Sequence, residues 1–257
     1  MEDPDCTRAT LEAVAALQTL GQKLILVHGG GKPIDRAMAE AGLTPVKIQG
    51  RRFTDDATLA IVVRVLRELN AEVESLLDEV GGTAEGYRDI EGFPLLGERL
   101  LLPGMDLAPV DLGRVGTVTS VDTRGLQESI QERGAVPIIP SFALDAGGDG
   151  WFNVNADSLA AAVAGAMSAS AVIFLTDTPG VLRDVTKPDS LIADMTRAEC
   201  EQYLRDGVIA GGMIPKVEAC WDVLDAGVPR AVILDGRDPH ALLNDFLGLP
   251  AGTVIRI

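Results

Sequence analysis

Apolar positions along this chain recur with two periods, three-to-four and two, and glycine or proline separates most of the periodic stretches. Residues 10–20 put Leu11, Val14, Ala15 and Leu20 on one helical face before Gly21. Residues 24–27 form a short apolar run of strand character that stops at Gly29, Gly30 and Gly31. Helical patterns follow at 33–41, 55–80, 122–133, 156–167, 196–206 and 217–226. Gly42, Gly81 and Gly134 close three of them, and Asp55 or Asp56 caps the longest. Thr196 with Glu199 reads as a capping box. Strand character marks 136–140, 151–154, 171–175, 231–234 and 253–257, while 44–54 alternates around Gly50 like a hairpin or lid. Residues 83–118 are broken by glycine and proline and offer only short candidates at 100–102 and 115–118.

Strands alternating with helices predict an α/β fold, an open and mostly parallel sheet sandwiched between helices in three αβα layers. Such domains rarely begin on a helix, so the pattern leads us to expect a further strand ahead of residue 1.

Composition narrows the function. A formal charge of −16, from 38 acidic and 22 basic residues, opposes binding to nucleic acid or to an anionic membrane. Any phosphate site must then be a local positive patch in a negative field. Cys6, Cys200 and Cys220 are few, odd in number and scattered, as expected for reduced thiols in a cytoplasm. No apolar run reaches membrane-span length, no signal peptide opens the chain, and His28 and His240 lie too far apart to suggest zinc.

Two glycine turns carry candidate chemistry. Gly29-Gly30-Gly31 stands between a strand and a helix, where bare backbone N–H groups meet anions at a sheet edge. Glycine there reaches positive φ without penalty and admits a ligand close to the main chain. The turn lacks the Gly-Lys-Ser/Thr ending of a Walker loop and the spacing of a dinucleotide fingerprint. The second, Gly211-Gly212-Met213, leads to Lys216. The plain alternatives are a tight turn and an ordinary surface lysine. Asp157 at a helix start, Asn153 at a strand end and Arg52 in the lid likewise have plain readings, as a dipole-favoured acid, a turn amide and a solvated guanidinium. His28 reads as structural, a hydrogen-bonded histidine beside a turn.

Five stretches taken together resemble the amino acid kinase family. They are Val27-His28-Gly29-Gly30-Gly31, Gly50-Arg51-Arg52-Phe53-Thr54-Asp55, Asn153-Val154-Asn155-Ala156-Asp157, Leu175-Thr176-Asp177-Thr178-Pro179-Gly180-Val181 and Gly211-Gly212-Met213-Ile214-Pro215-Lys216. They occur in the family's order and span most of the chain; residues 83–105 match its acetylglutamate branch poorly. The resemblance implies transfer of a phosphoryl group from ATP to the side-chain carboxylate of N-acetyl-L-glutamate in arginine synthesis. It implies an amino-acid-binding lobe at 1–155 and a nucleotide-binding lobe at 156–257. Lys216 and Asp157 would be catalytic, with Asp157 organising lysines by charge pairing. Gly30, Gly31, Arg52 and Asn153 would hold the acid, and Thr176, Asp177, Gly180, Gly211, Gly212 and Met213 the nucleotide. Magnesium would come with ATP and be held chiefly by its phosphates, with no protein ligand named. A cytoplasmic homodimer is the implied setting.

Two alternatives stay open: a kinase for another acidic amino acid derivative, such as aminoadipate on a carrier, and a non-catalytic binding module. The second is motivated by a departure from the family, which opens with a strand bearing Lys-x-Gly-Gly. Here Met1-Glu2-Asp3 resembles the tail of the stretch that follows that strand. The expectation is a shortened chain, poorly active as it stands.

Overall fold

The computed structural model describes residues 3–103, 109–148 and 150–257. The chain divides into two compact units, Gly21–Leu159 on its own and Met1–Leu20 together with Ala160–Ile257. Helix α1 (Pro4–Thr19) belongs to the second. It begins six residues earlier than its apolar periodicity suggests, because Asp3 accepts the N–H groups of Asp5 and Cys6 and Pro4 sits at the first helical position.

The Gly21–Leu159 unit starts with β1 (Leu26–His28) and α2 (Gly31–Glu40). The lid is a hairpin of β2 (Lys47–Ile48) and β3 (Arg51–Arg52). Its two-residue turn, Gln49 and Gly50, has φ of 48° and 78°, the positive values that match the twist of a tight antiparallel hairpin. Helix α3 (Asp56–Glu79) follows, with Asp55 accepting the Thr58 N–H at 2.8 Å. Val62, Leu66, Leu69, Val73 and Leu77 form its buried stripe, and Asn70 is buried among them. After β4 (Ala84–Gly86) come β5 (Leu95–Pro103), β6 (Pro109–Val121), α4 (Thr123–Gln131), β7 (Val136–Pro140), β8 (Phe142–Asp145) and β9 (Trp151–Val154).

Two sheets organise this unit. The first is parallel, in the order β1-β7-β4, with Leu26 opposite Ile138 and Ala84 opposite Val136. Every residue of β7 is buried, as befits a central strand under α3 and α4. The second is a closed barrel, β5-β6-β9-β8, which the sequence pattern did not reveal. The expected strands at 100–102 and 115–118 are parts of the much longer β5 and β6. Two register shifts in that pair, at Leu96/Gly97 and Arg99/Leu101, break the alternation that would have marked them. Phe93, Phe142 and Trp151 pack together, with ring centroids 4.5 to 5.1 Å apart. Gly116 lets the barrel close: a Cβ there would stand 2.6 Å from that of Phe152.

Helix α5 (Ala156–Ala166) begins in one unit and ends in the other. Beyond it lie β10 (Val172–Thr176), β11 (Asp194–Thr196), α6 (Arg197–Arg205), α7 (Met213–Asp225), β12 (Arg230–Asp235), α8 (Ala241–Phe246) and β13 (Gly252–Arg256). The sheet order is β10-β12-β13-β11, parallel at both flanking pairs and antiparallel between β12 and β13. Alternate residues of β12 serve opposite faces. Ala231 and Ile233 pack with Val217, Cys220 and Leu224 of α7, whereas Val232 and Leu234 pack with Ala241 of α8. The capping box of Thr196 and Glu199 opens α6 as expected. The α/β expectation therefore holds, with mostly parallel sheets among helices. All three cysteines are free. No helix is long and apolar enough to cross a membrane among the described residues.

Candidate active site

In the Gly21–Leu159 unit the first glycine turn joins β1 to α2. The Gly30 carbonyl accepts the Ile34 N–H at 2.8 Å, so Gly30 caps the helix and leaves the Gly31 N–H among the unsatisfied donors of its first turn. None of the three glycines has a positive φ, which removes the first of the two sequence-based reasons for their presence. Gly30 is crowded: a Cβ would lie 3.0 to 3.2 Å from the side-chain ends of Ile34, Leu66 and Leu69. At Gly31 a Cβ would meet nothing within 4 Å, so open space faces the backbone there.

Arg52 lies beside α2. Its guanidinium, with the side chain only 10% exposed, donates to Asp35 Oδ1 at 2.5 Å and to Met38 Sδ at 3.1 Å. Thr54 connects Arg52 to Asn153. The fully buried Thr54 hydroxyl donates to the Arg52 carbonyl at 3.0 Å and accepts from Asn153 Nδ2 at 3.1 Å. The Thr54 main chain is stitched to β6 through Leu112 and Arg114, and Gly113, at φ 76°, is the only residue type that clears the Thr54 carbonyl. Sequence reasoning quoted Thr54 within a motif without giving it a role. Asp157, half-buried, occupies the first turn of α5 in the same unit. Asn155 caps that helix, its side-chain oxygen accepting the Ser158 N–H at 2.9 Å.

His28 and Asn70 lie behind the turn. Asn70 Nδ2 is 2.9 Å from the Ile138 carbonyl and 3.1 Å from His28 Nε2, and His28 Nδ1 is 3.3 Å from the Gly29 carbonyl. Arg88 reaches Asn70 Oδ1 at 3.4 Å and pairs with Glu74. Burial pushes the His28 pKa down to about 4, so the ring is neutral at ordinary pH.

The other unit carries the remaining candidates. Thr176 ends β10, and its hydroxyl donates to the Thr178 carbonyl at 2.9 Å. Asp177 follows, exposed. At the same sheet edge Arg237 grips Asp235 through two contacts of 2.8 Å, and this pairing holds the Asp235 carboxyl below its usual range. Arg237, missed from sequence, is a cation beside Asp177 whose charge is already engaged. Gly180, at φ 133°, is buried against Thr253, and a Cβ there would sit 2.5 Å from the Thr253 hydroxyl oxygen. Gly211, at φ 55°, and Gly212 are exposed at the start of α7, and a Cβ on either would meet nothing within 4 Å. Met213 and Lys216 are half-buried in the helix's first turn. Gly30, Gly31, Arg52, Asn153 and Asp157 thus fall in one unit, and Thr176, Asp177, Gly180, Gly211, Gly212, Met213 and Lys216 in the other.

A strand-glycine-helix turn, a glycine pair that opens a helix bearing a lysine, and an arginine linked through Thr54 to an asparagine agree with one further observation. The description of the amino acid kinase family matches residues 1–235. The chain belongs to this family. It is 36% identical over 252 residues to an acetylglutamate kinase of Leptospira biflexa, covering 96% of this chain and 84% of that one. It is 39% identical over 244 residues to an acetylglutamate kinase of Methanococcus maripaludis, covering 93% of this chain and 82% of that one. Among solved structures it superposes on smu.665 from Streptococcus mutans UA159 with a TM-score of 0.76 and 29% identity, covering 96% of this chain and 91% of the other.

Proposed function

We propose that this amino acid kinase transfers the γ-phosphoryl group of ATP to the side-chain carboxylate of N-acetyl-L-glutamate. The observation that carries the reading is the Arg52–Thr54–Asn153 constellation, with Arg52 beside α2. A guanidinium suits a carboxylate, and an amide suits the polar groups of an acylated amino acid. The relatives named acetylglutamate kinase support the same substrate.

The Gly21–Leu159 unit binds the amino acid in this reading, and the other unit binds the nucleotide at Thr176, Asp177, Gly180 and the 211–213 turn. The acceptor carboxylate is already a nucleophile at neutral pH, so no general base is needed. Catalysis is alignment and charge neutralisation. Arg52 holds the α-carboxylate, exchanging Asp35 for the substrate, and Asn153 orients the acyl amino group. In the amino-acid-binding unit the N–H groups of Gly30 and Gly31 are assigned to the substrate and the transferring phosphate; in the other unit the Lys216 ammonium is assigned to the charge that builds on the phosphoryl oxygens. Asp157, at the start of α5, is assigned the organising of lysine charge that the family resemblance implies. No group of three or more His, Cys, Asp or Glu side chains stands ready to hold a metal among the described residues. Magnesium is proposed to arrive with ATP and to ride chiefly on its phosphates, where it neutralises their charge.

ADP release from ATP on addition of N-acetyl-L-glutamate tests the proposal. Turnover with that acid, and none with free glutamate, is expected. Nucleotide binding with no turnover on N-acetylglutamate would instead identify a binding module, and preference for another acyl acid would move the substrate assignment.

A further inference from the structure

The buried polar network beside the first glycine turn lies outside the residues proposed to contact substrate, yet its hydrogen bonds fix one proton. The Ile138 carbonyl can only accept, so the Asn70 atom 2.9 Å from it is the amide nitrogen. That same nitrogen lies 3.1 Å from His28 Nε2, which must therefore be the bare, accepting nitrogen of the ring. The ring proton is left on Nδ1, and Nδ1 faces the Gly29 carbonyl at 3.3 Å. In a trans peptide the C=O and the following N–H point opposite ways. Holding the Gly29 carbonyl therefore fixes the direction of the Gly30 N–H, opposite to it. The adjoining peptide is held likewise, since the Gly30 carbonyl accepts the Ile34 N–H and so aims the N–H of Gly31.

We propose that Asn70 and His28 are positioning residues: Asn70 selects the Nδ1–H tautomer of His28, and that proton orients the Gly29–Gly30 peptide as an anion donor. The inference rests on the kinase reading above. The full burial of Asn70 and the near-full burial of His28 support it, as does the depressed basicity of the ring. A neutral imidazole has one donor to give, and its direction is set by whichever partner claims the other nitrogen. The charged groups facing the network are Arg88, on the Asn70 side-chain oxygen, and its partner Glu74. Arg88 donates to the amide oxygen and so reinforces the orientation that Ile138 requires.

The tautomer is read without turnover. The chain has two histidines, so a long-range nitrogen–proton spectrum of uniformly 15N-labelled protein resolves both rings, and His240→Gln assigns them. His28 is expected neutral at neutral pH, with a protonated Nδ1 and a bare Nε2; the opposite tautomer or a charged ring overturns the proposal. Two variants then separate positioning from packing. The amide nitrogen of His28→Asn stands where Nδ1 stood and keeps the donor, whereas His28→Gln reaches towards Asn70 and loses it. With ATP and N-acetyl-L-glutamate, kcat should stay within about threefold for His28→Asn and fall by about tenfold or more for His28→Gln, with the KM for ATP nearly unchanged in both. Equal losses, or none in His28→Gln, overturn the proposal. A wild-type chain with the expected tautomer that phosphorylates no acyl acid overturns the kinase reading and, with it, the catalytic purpose of the network.

Discussion

The two glycine turns of this molecule look alike as text and differ as objects. The turn at 29–31 is braced from behind. Gly30 is buried under Ile34, Leu66 and Leu69, and the polar network of His28, Asn70 and Arg88 stands at its back. The turn at 211–212 is exposed, and neither glycine has a neighbour where a Cβ would go. The first has its donors fixed before any ligand arrives. The second presents open backbone and depends on α7, anchored by the fully buried Val217 and Cys220, to carry Lys216. Gly30 is present for packing, whereas Gly31 and Gly212 leave open space beside the backbone. Substitution should therefore act on folding at Gly30 and on ligands at Gly212.

The largest effect expected is on the braced side. Arg52→Ala should weaken N-acetylglutamate binding by about 2–5 kcal/mol while ATP affinity stays close to normal, because the substrate carboxylate loses a nearly buried guanidinium. Calorimetry with each ligand checks this, and parallel losses for both would point to a folding defect. On the open side, Lys216→Ala should lower kcat by roughly a hundredfold or more with smaller changes in KM and an unchanged melting temperature. An unaltered kcat would remove Lys216 from the mechanism.

Between about pH 5 and 6.5, stability should depend on pH through His28, beside the braced turn. The folded pKa of His28, about 4, lies below the value of about 6.5 for a free imidazole. As pH falls through this interval the unfolded chain takes up a proton that the folded chain refuses, so stability is full above about pH 6.5 and declines towards pH 4. The loss should reach roughly 3 kcal/mol. Asp3, Asp55, Asp184, Glu199 and Asp235 are all held below their ordinary values, and their contributions vanish only at the acid end of the interval and beyond. Urea unfolding above about pH 5 therefore isolates His28, and a flat profile there would place the ring in water.

Much of this was legible from sequence, and the failures have physical causes. Helix α3 declared itself through a long apolar stripe with an aspartate before it, and α6 through its capping box. The barrel did not, because register shifts and glycines in β5 and β6 erase the period-two signal. Helix α8 has six residues and β11 three, too few for either period to show. At the site, Thr54 was overlooked because the contact that gives it meaning joins it to Asn153, 99 residues away. Asn70 did leave a sign: an amide in phase with Leu66, Leu69 and Val73 is a polar group placed where the helix is buried. Such a residue must be hydrogen-bonded, and asking to what would have led to His28.

Smaller effects sharpen the contrast at the glycines themselves. Gly30→Ala forces a methyl group against three branched side chains and should cost about 1–3 kcal/mol of stability by overpacking. Denaturant titration measures it. A neutral result would show that Ile34, Leu66 and Leu69 yield without cost and that the turn is less braced than its contacts indicate.

Gly212→Ala is the counterpart with the smallest effect on folding. Gly212 has φ −66° and ψ −14°, which alanine adopts freely, and a Cβ there meets nothing within 4 Å. Alanine also narrows the unfolded ensemble, a gain of about 0.4–1 kcal/mol where the native backbone is compatible. The melting temperature should hold or rise slightly. The same methyl group occupies the open space in front of the α7 N-terminus, where the proposed nucleotide would meet the backbone, so the KM for ATP should rise several-fold while that for N-acetylglutamate stays put. A variant with higher stability and intact ATP affinity would show that nothing approaches the backbone at 212, and the nucleotide site would have to lie elsewhere in that unit. Lower stability would mean that the two turns are braced alike and that the contrast between them fails.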